Sequence, residues 1–424
     1  MATAIAVYAD WEGLPTPSRL GLLRAHRGRG REVFEFEFDD EVLAMPSLVD
    51  PPLDPRLGAF AGRQHPPAGR TLFGVFTDAS PDRWGRMLMR RRFERDQRAG
   101  LVPTGTTLHE SDYLLGVHDQ FRLGGLRFRL DDAGDFLDDR YDAAAPPFVE
   151  LRALEAASLA IERDESNTAK EGDAWLRMLI APGGSLGGAR PKASVVSPDG
   201  TLYIAKFPST RDEHDVGAWE LVVHTLAMAC GLRVPEAQAR RFASGQHTFL
   251  VRRFDRTAAG RRLHVASAMT LTDHVDGDGS ATGASYLELA RVLIMHGTQT
   301  DLDLYELWSR IVFNICVSNV DDHLRNHAFV RVPGKGWRLS EAFDMNPAAD
   351  GTGLSLNITE ADNALNLDLA LSVAPQFRVK AHAARERVAA IQGVVRQWRS
   401  LAKRLKIAAR EQERMAGAFR LAEQ

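Results

Sequence analysis

Cysteine is scarce: the 424 residues contain only Cys230 and Cys316, each inside an apolar helical pattern. Two isolated thiols build neither a disulfide framework nor a paired-thiolate metal centre, and they read as reduced core groups of a cytoplasmic protein. Long apolar runs are also missing. No stretch approaches the roughly 20 residues that span a bilayer, and Met1–Tyr8 is short and soon meets Asp10 and Glu12, so neither a membrane anchor nor a signal peptide is expected. Charge of one sign is lacking too: 53 basic residues face 56 acidic ones, a balance that draws the chain to neither nucleic acid nor membrane. H-E-x-x-H, internal repeats and a coiled-coil register are absent.

What is present suggests more than one folding unit. Residues 1 to about 135 read as mixed α/β, with strands at Ile5–Tyr8 and Glu32–Phe36 and a helix opening at Trp84 behind a cap in Asp78–Asp82. Arg90–Arg92 reads as a solvated helix face. The Asp-, Ala- and Pro-rich stretch 131–147 looks like a linker, followed by a helix from about Val149 through Ile161. Next come the glycine loop Gly183–Gly188, a strand Lys192–Val196, the turn Pro198-Asp199-Gly200 and a strand Leu202–Phe207. A helix over 212–230 stops at Gly231, strands follow at 235–242 and 247–254, and from 285 onward the pattern is mostly helical. Its parts include an apolar helix over Leu302–Val317, two short strands at 327–332 and 337–340, and helices over 379–392 and 394–420.

The sharpest chemical signal is Ser318-Asn319-Val320-Asp321-Asp322-His323-Leu324-Arg325-Asn326-His327, directly after that apolar helix. An Asp with an Asn five residues later suits phosphoryl transfer: the Asp orients an attacking hydroxyl and the Asn offers a neutral oxygen to Mg²⁺. Read blandly, the stretch is a polar helix end and turn. Asp344, in Ser340–Pro347, follows a hairpin that would return it towards Asp321 as an oxygen ligand for the metal. Lys206 is either a sheet-edge residue or a phosphate-neutralising lysine, with Glu220, and more weakly Glu213, as the carboxylate that orients it. The glycine loop lacks the Lys-Ser/Thr of a Walker A motif, having Ala189 and Arg190 there. Gly183-Gly184-Ser185-Leu186-Gly187 also fits a hydrolase nucleophile elbow, which needs a strand before it and a helix after it. Pro191 and a β-branched run follow instead.

Together these motifs resemble the HipA family of toxin serine/threonine kinases along nearly the whole chain. Leu72–Arg86 and Leu123–Phe128 resemble the family's N-terminal subdomain, with Gly125 where alanine is more usual. Ser185–Lys192 resembles its phosphate loop, Leu250–Arg256 the connection that receives adenine, and Asp321–Asn326 the catalytic loop. The resemblance implies a bilobal α/β protein-kinase fold: an N-terminal subdomain over 1–135, an N-lobe over 148–255 and a mainly helical C-lobe over 256–424. It implies ATP and Mg²⁺ as cofactors, Asp321 as base and Lys206 on phosphate. Asn326 and Asp344 would hold metal. Ser185, Gly187, Gly188, Arg252, Arg253, Phe254, Asp255 and His323 would contact nucleotide, and Ser185 would accept phosphate in self-inactivation. Arg252 stands where an acidic residue is more usual. The implied partner is a HipB-like helix-turn-helix antitoxin, through which alone DNA would be met; an aminoacyl-tRNA synthetase is one implied substrate. A catalytically silent corepressor is the competing reading.

Overall fold

Alternate residues along Ala2–Ala9 (β1), Ser18–Arg27 (β2) and Glu32–Phe38 (β3) point to one face, placing Ile5, Val7, Leu23, Phe34 and Phe36 in one core. The computed structural model describes residues 2–28, 31–139, 148–163, 179, 188 and 190–424. They divide into two compact units: Met1–Thr210 with Asp255–Ala266 and Pro333–Lys335, and Arg211–Phe254 with Ser267–Val332 and Gly336–Gln424.

In the first unit, β1, β2, β3 and Leu126–Arg129 (β4) form an antiparallel sheet in the order β3-β2-β1-β4. The expected helix runs over Arg83–Arg98, and the Asp82 carboxylate caps it by accepting the Gly85 N–H at 2.8 Å. Arg122 lies fully buried beneath the sheet. Its guanidinium donates to the carbonyls of Ala79, Leu114, Val117 and Leu137 at 2.8 to 2.9 Å, and burial lowers its pKa to about 10. After the helix Leu151–Arg163 comes the hairpin of Lys192–Val196 (β5) and Leu202–Lys206 (β6), with Gly200 at φ +85° in its turn.

The second unit contains the helix Val216–Ala229, capped by Asp215 and ended by Gly231 at φ +74°. It also holds the hairpin of Ala237–Arg241 (β7) and His247–Arg252 (β8). Gly217 lets this helix meet β8 closely: a Cβ there would sit 2.1 Å from the His247 carbonyl oxygen. The helix Thr300–Val317 is buried along most of its length by Leu304, Leu307, Trp308, Ile311 and their neighbours, each large apolar chain contributing about 1.5–3 kcal/mol. A second hairpin, Ala328–Val332 with Gly336–Leu339, follows it.

Two expectations need correction. Residues 394–420 do not form one helix but the segments Trp398–Arg404 and Ala409–Met415 with short turns beyond. The break falls at Lys406, whose φ of +57° lets the Ile407 N–H reach back to Ala402. Residues 341–366 are largely irregular rather than helical, and this is the stretch that carries Asp344.

Candidate active site

The Thr300–Val317 helix ends on Ser318, which turns left-handed (φ 48°, ψ 48°) and throws the chain into the loop expected to carry chemistry. The loop closes on itself. The His323 N–H and the Asn326 side-chain amide both donate to the Asp321 carbonyl at 2.9 Å, and the Asn326 N–H donates to the His323 carbonyl at 2.8 Å. Asp321 is exposed, whereas Asp322 and Asn326 are buried and His323 half-buried. Among the described residues, Asn326 Oδ1 is a buried side-chain oxygen with no hydrogen-bond partner, and His323 Nδ1 lacks one too. Such an orphan costs about 1–3 kcal/mol unless something occupies it.

Asp344 adopts φ +59°, a left-handed conformation that Asp tolerates better than most residues. Its segment is pinned from both sides: Arg310 donates to the Ser340 carbonyl at 2.7 Å, and the Ala342 N–H to the Arg233 carbonyl at 2.7 Å. Asn346 reaches Asp344 Oδ1 through its amide at 3.3 Å, and its own Oδ1 is another buried atom without a partner. The Asp344 and Asp321 loops are stitched together. The Asn346 N–H donates to Asn319 Oδ1 at 3.1 Å and the Ala348 N–H to the Ser318 carbonyl at 3.1 Å.

Asp322, whose role spacing alone does not reveal, is the centre of the buried side. Its Oδ2 accepts from the Tyr286 hydroxyl at 2.6 Å and the Asn314 amide at 2.7 Å, and it meets His327 Nε2 at 2.8 Å. Burial, and then the Asp322 charge, hold the Tyr286 phenol well above its usual pKa. A clue in the chain was Asn314, polar within the apolar run Ile311–Val317 that closes the helix.

The Arg252–Phe254 stretch is tied to the segment leading into Asp344. Arg252 pairs with Glu341 at 3.1 Å, and the Phe254 and Phe343 rings stack with centroids 5.2 Å apart. Glu220 is buried on the Val216–Ala229 helix, whereas Glu213 is exposed and pairs with Arg414.

In the first unit, Lys206 ends β6 and lies directly opposite Lys192 on β5, so both side chains share a face. Lys192 pairs with buried Asp82 at 3.0 Å, and its carbonyl accepts from Trp84 Nε1 at 3.1 Å. Gly188 has φ +88°. The Asp255 carboxylate is wholly buried, accepting from the Gly124 N–H at 2.9 Å and from Arg256 at 2.6 Å, and its carbonyl accepts from the Leu263 N–H at 2.9 Å, so neither group is open to a nucleotide. Ser185 and Gly187 lie outside the described residues. A strand, β5, follows the glycine loop where a hydrolase elbow needs a helix.

The described residues contain no cluster of three or more His, Cys, Asp or Glu able to hold a metal. The donors that are present fit Mg²⁺ in its usual protein environment, where one or two side-chain oxygens share the ion with water and phosphate. The partnerless Asn326 oxygen is one such donor, and the Asp344 carboxylate is the other candidate.

The mixed helices and antiparallel sheets form a protein-kinase-like fold. Residues 184–402, more than half of the chain, match the HipA-like C-terminal domain, and the chain belongs to that family. It superposes with a TM-score of 0.65 on a chain from the toxin–antitoxin complex of HipA, HipB and operator DNA of Shewanella oneidensis MR-1, at 15% identity over 99% of this chain and 96% of that one. A Haemophilus influenzae protein whose name calls it a supposed kinase is 25% identical over 179 residues, 38% of this chain. The chain spans about half the length of that curated relative, 52%.

Proposed function

We propose that the chain is a protein serine/threonine kinase that transfers the γ-phosphoryl group of Mg-ATP to a protein hydroxyl. The observation that carries this reading is the closed loop of the second unit, which exposes Asp321 while burying an Asn326 oxygen that has no partner. Asp321 orients the substrate hydroxyl and takes its proton as the new O–P bond forms and the bond to ADP breaks. Bound Mg²⁺ would neutralise charge on the phosphate oxygens, held by Asn326 and Asp344. Lys206 meets phosphate, and main-chain groups of Arg252–Phe254 hold the adenine. Such catalysis is chiefly positioning and charge neutralisation.

The finer reading follows the family. The chain is a cytoplasmic toxin, paired with a HipB-like helix-turn-helix antitoxin and meeting DNA only through it. Ser185 is its self-phosphorylation site, and an aminoacyl-tRNA synthetase is the first substrate to try. Phosphate on Ser185 adds close to two negative charges to a loop that approaches ATP, and so switches the kinase off.

Intact mass after incubation with Mg-ATP tests this. The wild type should gain about 80 Da per phosphate of the kind that adds this charge, mapped to Ser185, and Asp321→Ala should gain none. If neither protein gains mass and Mg-ATP fails to raise the melting temperature, the kinase reading falls and the silent corepressor remains.

A further inference from the structure

The hydrogen bonds joining the Asp321 and Asp344 loops form one continuous chain of asparagines. Asn314 Nδ2 donates to Asp322 Oδ2 at 2.7 Å, and Asn319 Nδ2 donates to Asn314 Oδ1 at 3.1 Å. The Asn346 N–H donates to Asn319 Oδ1 at 3.1 Å, and Asn346 Nδ2 donates to Asp344 Oδ1 at 3.3 Å. Asn314 and Asn319 are almost wholly buried, at 3% and 0% exposure. The chain therefore starts on the residue beside Asp321 and ends on the carboxylate of Asp344.

Its polarity is dictated. An ionised carboxylate only accepts, so Asn314 must turn its NH₂ towards Asp322 and its oxygen towards Asn319. Asn319 then has only its own oxygen left to offer, and a main-chain N–H, which cannot be flipped, fills it. No amide in the series can rotate without setting oxygen against oxygen in a buried place, where an unmade hydrogen bond is costly. A connected amide series of this kind transmits position, because displacing one loop breaks bonds along its whole length.

We propose that Asn314, Asn319 and Asn346 are positioning residues that set the Asp344 carboxylate in register with the Asp321–Asn326 loop. This rests on the kinase reading above and extends it to residues that touch neither nucleotide nor substrate. The three amides act on metal binding through Asp344, as outer partners that orient a ligating carboxylate do.

The test uses the full chain, melted at fixed ATP over a range of MgCl₂ and again in EDTA, for wild type, Asn319→Ala and Asn346→Ala. Both variants should need about tenfold more Mg²⁺ for half of the ATP-induced shift, the usual loss when such an outer partner is removed. The small shift from ATP in EDTA should stay as in wild type. In turnover, kcat should fall while KM for ATP changes little. If Asn319→Ala does not fold, half-buried Asn346→Ala decides, since it leaves the main-chain bond to Asn319 in place. A wild type that responds to Mg²⁺ with variants on the same curve overturns the positioning role alone. Variants that lower only the ligand-free melting temperature overturn it too, as purely structural. A wild type blind to Mg²⁺ overturns the kinase reading, and the positioning role with it.

Discussion

A single buried carboxylate oxygen, Asp322 Oδ2, collects Tyr286, Asn314 and His327 within 2.6 to 2.8 Å. Removing one donor while keeping the shape isolates its worth. Tyr286→Phe should lower stability by about 1.5–3 kcal/mol, the range for hydrogen bonds to charged groups, as read by urea denaturation. At this scale the sequence was legible only where spacing itself carries chemistry. Asp321 and Asn326 announce themselves five residues apart. Asp322 does not, because its meaning depends on Tyr286, 36 residues away at the start of the helix Tyr286–His296. Asn346 and Glu341 were hidden for the same reason: their partners, Asn319 and Arg252, are distant in the chain.

Elements were read best where a local signal closes them. Asp82, Gly200 and Gly231 each fix a cap or turn by their own chemistry, and the hairpins and helices they bound lie where expected. The break at Lys406 was invisible because lysine carries no left-handed preference; the turn buries Ile407, which follows it. Close approach between elements was equally hidden in Gly217, which reads as an ordinary helical glycine. Gly217→Ala should cost about 1–3 kcal/mol through overpacking against β8, despite alanine's better helix propensity, and thermal denaturation would register it as a lower midpoint.

For the molecule as a whole, scarcity of cysteine becomes a statement about pH. Cys230 and Cys316 are buried free thiols, and burial pushes each up to about 12. An unfolded thiol titrates near about 8.5, so their contribution to stability is complete below that pH and is lost progressively as pH rises towards about 12. Chemical denaturation at pH 7.5 and pH 10 should show a weaker fold at pH 10. Cys316→Ala should flatten that decline, and neither thiol should react with an aromatic disulfide at pH 8 until the protein is unfolded. No described helix is long and apolar enough to cross a membrane.

Asn346 supplies both a main-chain and a side-chain donor to the series that joins the two loops, and the next residue is Pro347. Asparagine ages chiefly when the following backbone nitrogen attacks its amide and forms a cyclic imide. Proline has no N–H with which to do so. An aspartate at 346 would keep the shape but present an oxygen where an amide now donates, setting charge against charge beside Asp344. The residue that donates the last two bonds of the series is thus protected, by its neighbour alone, from the slow chemistry that would reverse it.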